Sequence, residues 1–311
     1  MCSSTRLVAT AICDTGLSQP FLDAWQTLLT AHSITVTSTK ILSPSQAADY
    51  YLGLERPIVN LTAFRDELFV LGQAHRTDVI CQDDNIFRRH KRLFIFDMDS
   101  TLIRQEVIDE IARHAGVMKD VAKITVAAMN GEIDFTESLK RRVALLQGCS
   151  SSVLHRVRSD LVFTEGAHEL CRALKKLGCK MAVISGGFMP VAIRVKAELG
   201  LDYMYANQLA TTPDGKTLTG VTVGPIVDGF RKAELLDVIA QAEHVGKDQI
   251  IAVGDGANDL WMLAEAGIGI AFNAKPTVQK RAQARINQKS LTSILYVLGL
   301  TDEDIALLLA T

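Results

Sequence analysis

The sequence predicts an α/β chain in two units. The larger is a doubly wound parallel sheet with an inserted helical cap, and a small α+β module of ferredoxin-like order precedes it. Three observations carry that reading. Short, nearly continuous apolar runs at 93–97, 179–185, 249–254 and 268–272 alternate with helical patterns, as parallel strands buried on both faces do. Residues 1–85 have a different texture, rich in Thr and β-branched residues, with the order β-α-β-β-α-β. A length of 311 residues accommodates about two domains at roughly 150 residues each.

The elements follow in order. Residues 5–13 (TRLVATAIC) read as a strand. Their apolar stretch is as long as a short signal-peptide core, but Asp14 ends it and only Arg6 precedes it, so a buried strand is expected. Residues 19–32 form a helix with Phe21, Trp25, Leu28 and Leu29 on one face. Residues 33–43 alternate through Ile34 and Val36 and read as a strand, as do residues 50–58. A helix at 61–75 repeats Leu61, Phe64, Leu68 and Leu71, and a strand at 77–81 closes the module. The charged stretch 83–91 breaks the pattern and reads as a solvated linker with a short basic run, Arg88 to Arg92. The boundary is placed so that the module covers 1–85 and the larger unit 86–311.

In the larger unit, strands are expected at 93–97, 179–185, 203–206, 249–254 and 268–272. Helices are expected at 166–177, ended by Gly178, and at 231–245, ended by Gly246. Residues 104–164 are mostly helical and interrupt the alternation, so they form the cap. Residues 205–224 hold Pro213-Asp214-Gly215 between β-prone flanks, a hairpin.

Composition narrows the function. Lys and Arg total 33 against 35 Asp and Glu, a net charge of −2, which argues against a nucleic-acid partner. No apolar run approaches the ~18 residues of a membrane span. The six cysteines, Cys2, Cys13, Cys81, Cys149, Cys171 and Cys179, form no C-x-x-C pair, so a zinc site is not expected and a reduced, cytoplasmic protein is.

The chemistry concentrates in two loops. In LFIFDMDST, residues 93–101, an apolar strand runs into Asp97 and Asp99, and strand alternation would put both carboxylates on one face. In VGDGANDL, residues 253–260, a second strand ends in Asp255, and Asn258 and Asp259 open the next helix. Carboxylate and amide oxygens suit a hard cation such as magnesium. Between the loops lie Ser185, Gly186 and Gly187 at a strand end, and Lys232 at a helix start, the parts of a phosphate cradle. Each feature alone has a bland reading: an Asp-rich turn, a capped glycine turn, a turn serine, a solvent-facing lysine. Together they project acids from one edge of one sheet.

The strand-borne D-x-D-S-T, the S-G-G, the lysine and the G-D-G-x-N-D, in that order, resemble the haloacid dehalogenase (HAD) superfamily. The continuation DMDSTLIRQEVID and the stretch MNGEIDFTESLKRRVALL, residues 129–146, resemble its phosphoserine phosphatases. The likeness spans residues 93–280. It implies a HAD-type sheet with helical cap and magnesium-dependent hydrolysis of O-phospho-L-serine through an aspartyl-phosphate, the last step of L-serine biosynthesis. It implies Asp97 as nucleophile and Asp99 as general acid and base. Magnesium would be held by Asp97, the Asp99 main-chain carbonyl and Asp255. Ser185, Gly186 and Lys232 would hold phosphate, with Asn258 and Asp259 orienting from behind. By similarity Arg142 would clamp the substrate carboxylate and Glu106 its ammonium, while Met129 and Phe135 close over it. From the residues alone, Arg141 and Arg142 are equally solvated helix charges, and Glu106 is a first-turn acid.

The N-terminal module resembles ACT-like domains in topology and placement, which implies a homodimer through that module; a stabilising appendage is the alternative. Other readings stay open: a HAD enzyme for a homoserine or ethanolamine ester, or a non-catalytic amino-acid sensor. Gly224 to Gly229 echoes a P-loop, but Phe230-Arg231 stands where Lys-Ser/Thr is required.

Overall fold

The computed structural model describes residues 6–55, 58–129 and 131–310. The N-terminal sheet contains β1 (Leu7–Ile12), β2 (Ile34–Ser43), β3 (Ala47–Leu54) and β4 (Asp78–Asp83), with α1 (Gln19–Ala31) and α2 (Leu61–His75) on one face. Its order is β2-β3-β1-β4, antiparallel throughout, which is the ferredoxin-like arrangement. Ser18 caps α1 by accepting from the Phe21 amide, Pro20 sits in the first turn, and Phe21, Trp25 and Leu29 are buried at helical spacing. The third strand lies earlier than the 50–58 reading, because Ala47 and Ala48 pair with Ile12 and Ala11 of β1.

All six β1 positions are buried. The reason is a second covered face: Ile12, Leu42, Ala47 and Ile80 share one apolar core with Leu295, Val297 and Leu298 of the larger unit. The expected solvated linker is therefore incorrect. Residues Ile86–Arg89 form a short helix, α3, capped by Asn85, and Arg88 is 2% exposed. Its guanidinium holds both Asp49 oxygens at 2.7 Å. Lys91 is buried as well and donates to the Asp248 carbonyl at 2.6 Å. Arg88 folds inward onto a buried carboxylate, and Lys91 onto a main-chain carbonyl near the surface.

The larger sheet contains β5 (Leu93–Phe96), β6 (Lys180–Phe188), β7 (Tyr203–Thr211), β8 (Leu218–Val223), β9 (Ile250–Gly254), β10 (Ile268–Phe272) and β11 (Ala284–Ile286). Its order is β11-β10-β9-β5-β6-β7-β8, with only β8 antiparallel to its neighbour. The β7–β8 pair is the hairpin expected from Pro213-Asp214-Gly215. Four helices fill the insertion after β5: α4 (Val107–Ala115), α5 (Met118–Met129), α6 (Phe135–Ala144) and α7 (Ser152–Ser159). They hang from a two-stranded hinge in which Ile103 pairs with Phe163 and the Arg104 amide donates to the Val162 carbonyl. The remaining helices are α8 (Ala167–Lys176), α9 (Met189–Leu199), α10 (Gly229–Ala242), α11 (Leu260–Glu265), α12 (Pro276–Gln279), α13 (Ser293–Val297) and α14 (Asp302–Leu309). β5 sits centrally between β6 and β9, so the chain leaves it in opposite directions, and a crevice opens at its C-terminal end.

Candidate active site

The crevice is built at the end of β5. The Asp97 amide donates to the Val253 carbonyl at 2.9 Å, locking this end to β9. The strand stops at Phe96, one residue before the sequence pattern suggested, and Met98–Leu102 make a wide turn, closed by the Ile103 amide donating to the Met98 carbonyl, in which Asp99 and Ser100 leave helical dihedrals. Within it Ser100 takes a positive φ of 55°. That turn, rather than strand alternation, brings Asp99 close enough to Asp97 for the two carboxyls to repel.

Lys232 is the hub. It is wholly buried, reaches Asp97 Oδ1 at 2.7 Å and Asp259 Oδ1 at 2.6 Å. The solvent-facing reading of this lysine does not apply. Asp97 Oδ1 also accepts from the Met98 amide at 2.7 Å, and among the described residues Oδ2 has no donor. Asp259 Oδ2 accepts from the Asp255 and Gly256 amides at 3.1 and 2.9 Å. A Cβ on Gly254 would lie 2.5 Å from the Asp259 carboxyl carbon, so only glycine lets that carboxylate lie along the strand end. Thr101 Oγ1 donates to Asp255 Oδ1 at 3.3 Å.

The acids outnumber the cation. Burial pushes Asp97 well above the usual carboxylate range, Asp259 adds repulsion, and Lys232 opposes both. Burial likewise raises Asp99, helped by Glu106 and Asp97. Asp255 is pushed up to about 7 by burial and by repulsion from Asp259 and Glu106. Burial works against the Lys232 ammonium, but Asp259 and Asp97 outweigh it and keep the group charged. Asp97, Asp255 and Asp259 each offer an oxygen within 4.8 Å of the others. Among the described residues Asp99 Oδ1 is buried without a partner, while its Oδ2 accepts from the Val107 amide at the start of the cap. A divalent cation fits this cluster. Both Asp259 oxygens are already committed, which leaves Asp97 and Asp255 as the carboxylates free to ligate.

Opposite lies the serine–glycine segment. Ser185 Oγ accepts from the Gly187 amide at 2.8 Å. Phe135 of the cap lies directly over Gly186: a Cβ there would be 2.6 Å from the ring Cζ. Asn258 is half-buried and folds over Gly256, and among the described residues no hydrogen bond joins its side chain to the acids.

The cap separates the two arginines. Arg141 pairs with Glu137 on the exposed face at 2.6 Å. Arg142 is half-buried; burial weakens the guanidinium's hold on its charge, and Asp109, Glu106 and Asp99 counter this only in part. Ser100 Oγ donates to Glu106 Oε1 at 2.7 Å. The Met129 side chain lies outside the described residues. Thr101, Ser100, Asp109 and Asn207 were not singled out from the sequence. Thr101 and Ser100 stand inside D-x-D-S-T and were within reach, whereas nothing local marks Asn207.

Among the described residues, no helix is long and apolar enough to cross a membrane. The family model for haloacid dehalogenase-like hydrolases matches residues 91–267. A probable phosphoserine phosphatase from Schizosaccharomyces pombe is 52% identical over 233 residues, covering 75% of this chain and 78% of that one. A solved HAD family hydrolase from Salmonella enterica serovar Typhi superposes with a TM-score of 0.79 at 28% identity, covering 94% of this chain and 98% of that chain. A structure described as a phospho-aspartyl intermediate analogue of phosphoserine phosphatase gives a TM-score of 0.63 at 44% identity, covering 66% of this chain and 98% of that chain.

Proposed function

The chain belongs to the haloacid dehalogenase-like hydrolase family, on its phosphoserine phosphatase branch, and we propose that it hydrolyses O-phospho-L-serine to L-serine and phosphate. The observation that carries the reading is the buried chain Asp97–Lys232–Asp259 beside Asp255, set at the crevice of a parallel sheet under a cap.

Asp97 is the nucleophile. One oxygen of its carboxylate attacks phosphorus, leaving the other for a cation, and the Met98 amide and Lys232 fix the orientation of the carboxylate through Oδ1. The bond from phosphorus to the seryl oxygen breaks as Asp99 delivers a proton to that oxygen. The raised affinity of Asp99 for its proton suits an acid. Asp99, now ionised, takes a proton from the water that attacks the aspartyl-phosphate, and phosphate leaves with both aspartates restored. Lys232, Ser185 and the Gly186 amide hold the phosphoryl oxygens, and Asn258 orients them. Magnesium would be held by Asp97, Asp255 and the Asp99 main-chain carbonyl, with Asp259 bracing the site. When bound it supplies the positive charge that an acid cluster needs to receive an anionic ester.

Substrate choice comes from the cap. Arg142 is the bidentate clamp for the carboxylate and Glu106 the partner of the ammonium, while Phe135 and Met129 exclude water. Residues 1–85 act as an ACT-like module and 86–311 as the catalytic unit, in a cytoplasmic protein. We extend the reading to a homodimer through the module, supported by β2, a ten-residue edge strand with no neighbour on its outer side among the described residues. Its mass in solution tests this, and a monomer at all concentrations overturns it.

The deciding assay is phosphate release from L-phosphoserine with and without magnesium, against homoserine, ethanolamine and aryl phosphates. Preference for phosphoserine that depends on magnesium is the expected result. Equal rates across the panel overturn the substrate assignment.

A further inference from the structure

We propose that Asn207 is a positioning residue that fixes the phosphate-binding segment against the surface on which the cap closes; the inference rests on the phosphatase reading above. Between Ile184 and Phe188, β6 advances four residues while its partner β7 advances two, from Tyr205 to Asn207. The surplus lifts Ser185, Gly186 and Gly187 out of the sheet as a bulge. A bulge at a strand end has lost its ladder partners and needs another restraint. Asn207 supplies it. Its Nδ2 donates to the Gly186 carbonyl at 2.9 Å, and its Oδ1 accepts from the Val227 amide at 2.9 Å.

Each end of that bridge meets the cap. Gly186 lies beneath Phe135. Val227 precedes Asp228, whose Oδ1 accepts from the Arg231 amide to cap α10 and whose Oδ2 accepts from Thr136 Oγ1 at 3.3 Å. Phe135 and Thr136 are the first two residues of α6. The same α10 carries Lys232 in its first turn. One buried amide, 2% exposed, thus sets the spacing between the serine–glycine bulge, the lysine-bearing helix and both landing points of the cap. A primary amide donates to a carbonyl and accepts from an N–H in one plane. Leucine, of the same shape, makes neither bond.

The test measures inhibition by inorganic phosphate in Asn207→Leu, alongside KM for L-phosphoserine and for p-nitrophenyl phosphate. The inhibition constant and both KM values rise together, by about tenfold or more, because one donor to a buried carbonyl is lost at the phosphate site itself. A folded variant with all three values within twofold of wild type overturns the proposal. Amide exchange on the wild-type protein decides the matter if the variant fails to fold. Inorganic phosphate with magnesium then slows exchange at Gly187 and Val227 together, and slowing at Gly187 with Val227 unchanged overturns the proposal. Wild-type turnover of phosphoserine, run beside these, separates failure of the substrate assignment from failure of this inference.

Discussion

Replacing Asp49 by Ala tests how the two units are joined. Asp49 is 0% exposed and accepts from Arg88 at 2.7 Å on both oxygens and from Thr10 Oγ1 at 2.7 Å. Removing the carboxylate leaves the Arg88 guanidinium buried with two weaker acceptors, the Val297 carbonyl and Thr10 Oγ1, each at 3.3 Å. Breaking a buried pair from one side costs about 3–5 kcal/mol. With a urea slope of roughly 3 kcal/mol/M, the unfolding midpoint moves down by about 1–2 M. Trp25 is buried in the N-terminal module and Trp261 is exposed in the larger unit, so fluorescence of a Trp261→Phe background reports the module alone. The double variant Asp49→Leu with Arg88→Met removes both charges, and it recovers most of the loss because apolar groups of similar volume replace the pair at little net cost. A midpoint shift for Asp49→Ala worth under about 1 kcal/mol, or a double variant as weak as the two singles added, would show that the pair is solvated and the reasoning wrong.

Three further outcomes follow from the site and its surroundings. Asp97→Asn abolishes phosphate release while near-ultraviolet circular dichroism stays that of the wild type; residual turnover in a pure sample would remove Asp97 as nucleophile. Arg142→Ala raises KM for phosphoserine by roughly tenfold to a hundredfold and leaves an aryl phosphate within about threefold, whereas Arg141→Ala changes neither, since losing a bidentate clamp costs about 1.5–3 kcal/mol. Asp78 is pushed up to about 6 by burial, from 3.8, although Gln288 and Asn287 donate to it. A raised acid stabilises the folded state below the unfolded value and loses that contribution as pH rises through the folded one. Relative to Asp78→Asn, the wild type therefore gains up to about 3 kcal/mol as pH falls from 7 to 4, read by urea titration, and a flat difference removes the shift.

Much of this was legible in the sequence because the chemistry is written at strand ends. Asp97, Asp99 and Asp255 each follow an apolar run, and a run that stops at an acid is visible without a structure. Lys232 was harder, since a helix-start lysine is usually solvated and only the burial of two distant acids makes it a hub. The Arg88 stretch misled for the same reason. Its partner Asp49 lies 39 residues upstream, and adjacent basic residues carry no trace of it. Asn207 was invisible, because a bridge between two backbone groups leaves no pattern beyond one Asn in a strand. β11 escaped because a three-residue strand with Arg285 at its centre shows no apolar periodicity. The second covered face of the N-terminal sheet left one sign that went unread: Leu7–Ile12 is buried at every position, and its residues do not alternate.

That shared core also imposes an order of events on the ribosome. The N-terminal sheet is synthesised first, yet the groups that cover its second face arrive last. Gln82 waits for the Val297 carbonyl, 215 residues further along the chain. At roughly 5–20 residues per second, the bare apolar face around Ile12, Leu42 and Ile80 stays open for about 10–40 seconds in every nascent chain. Efficient production of this protein therefore depends on what shields that face during those seconds, so expression yield should respond to elongation rate and to chaperone supply more than the stability of the finished fold would suggest.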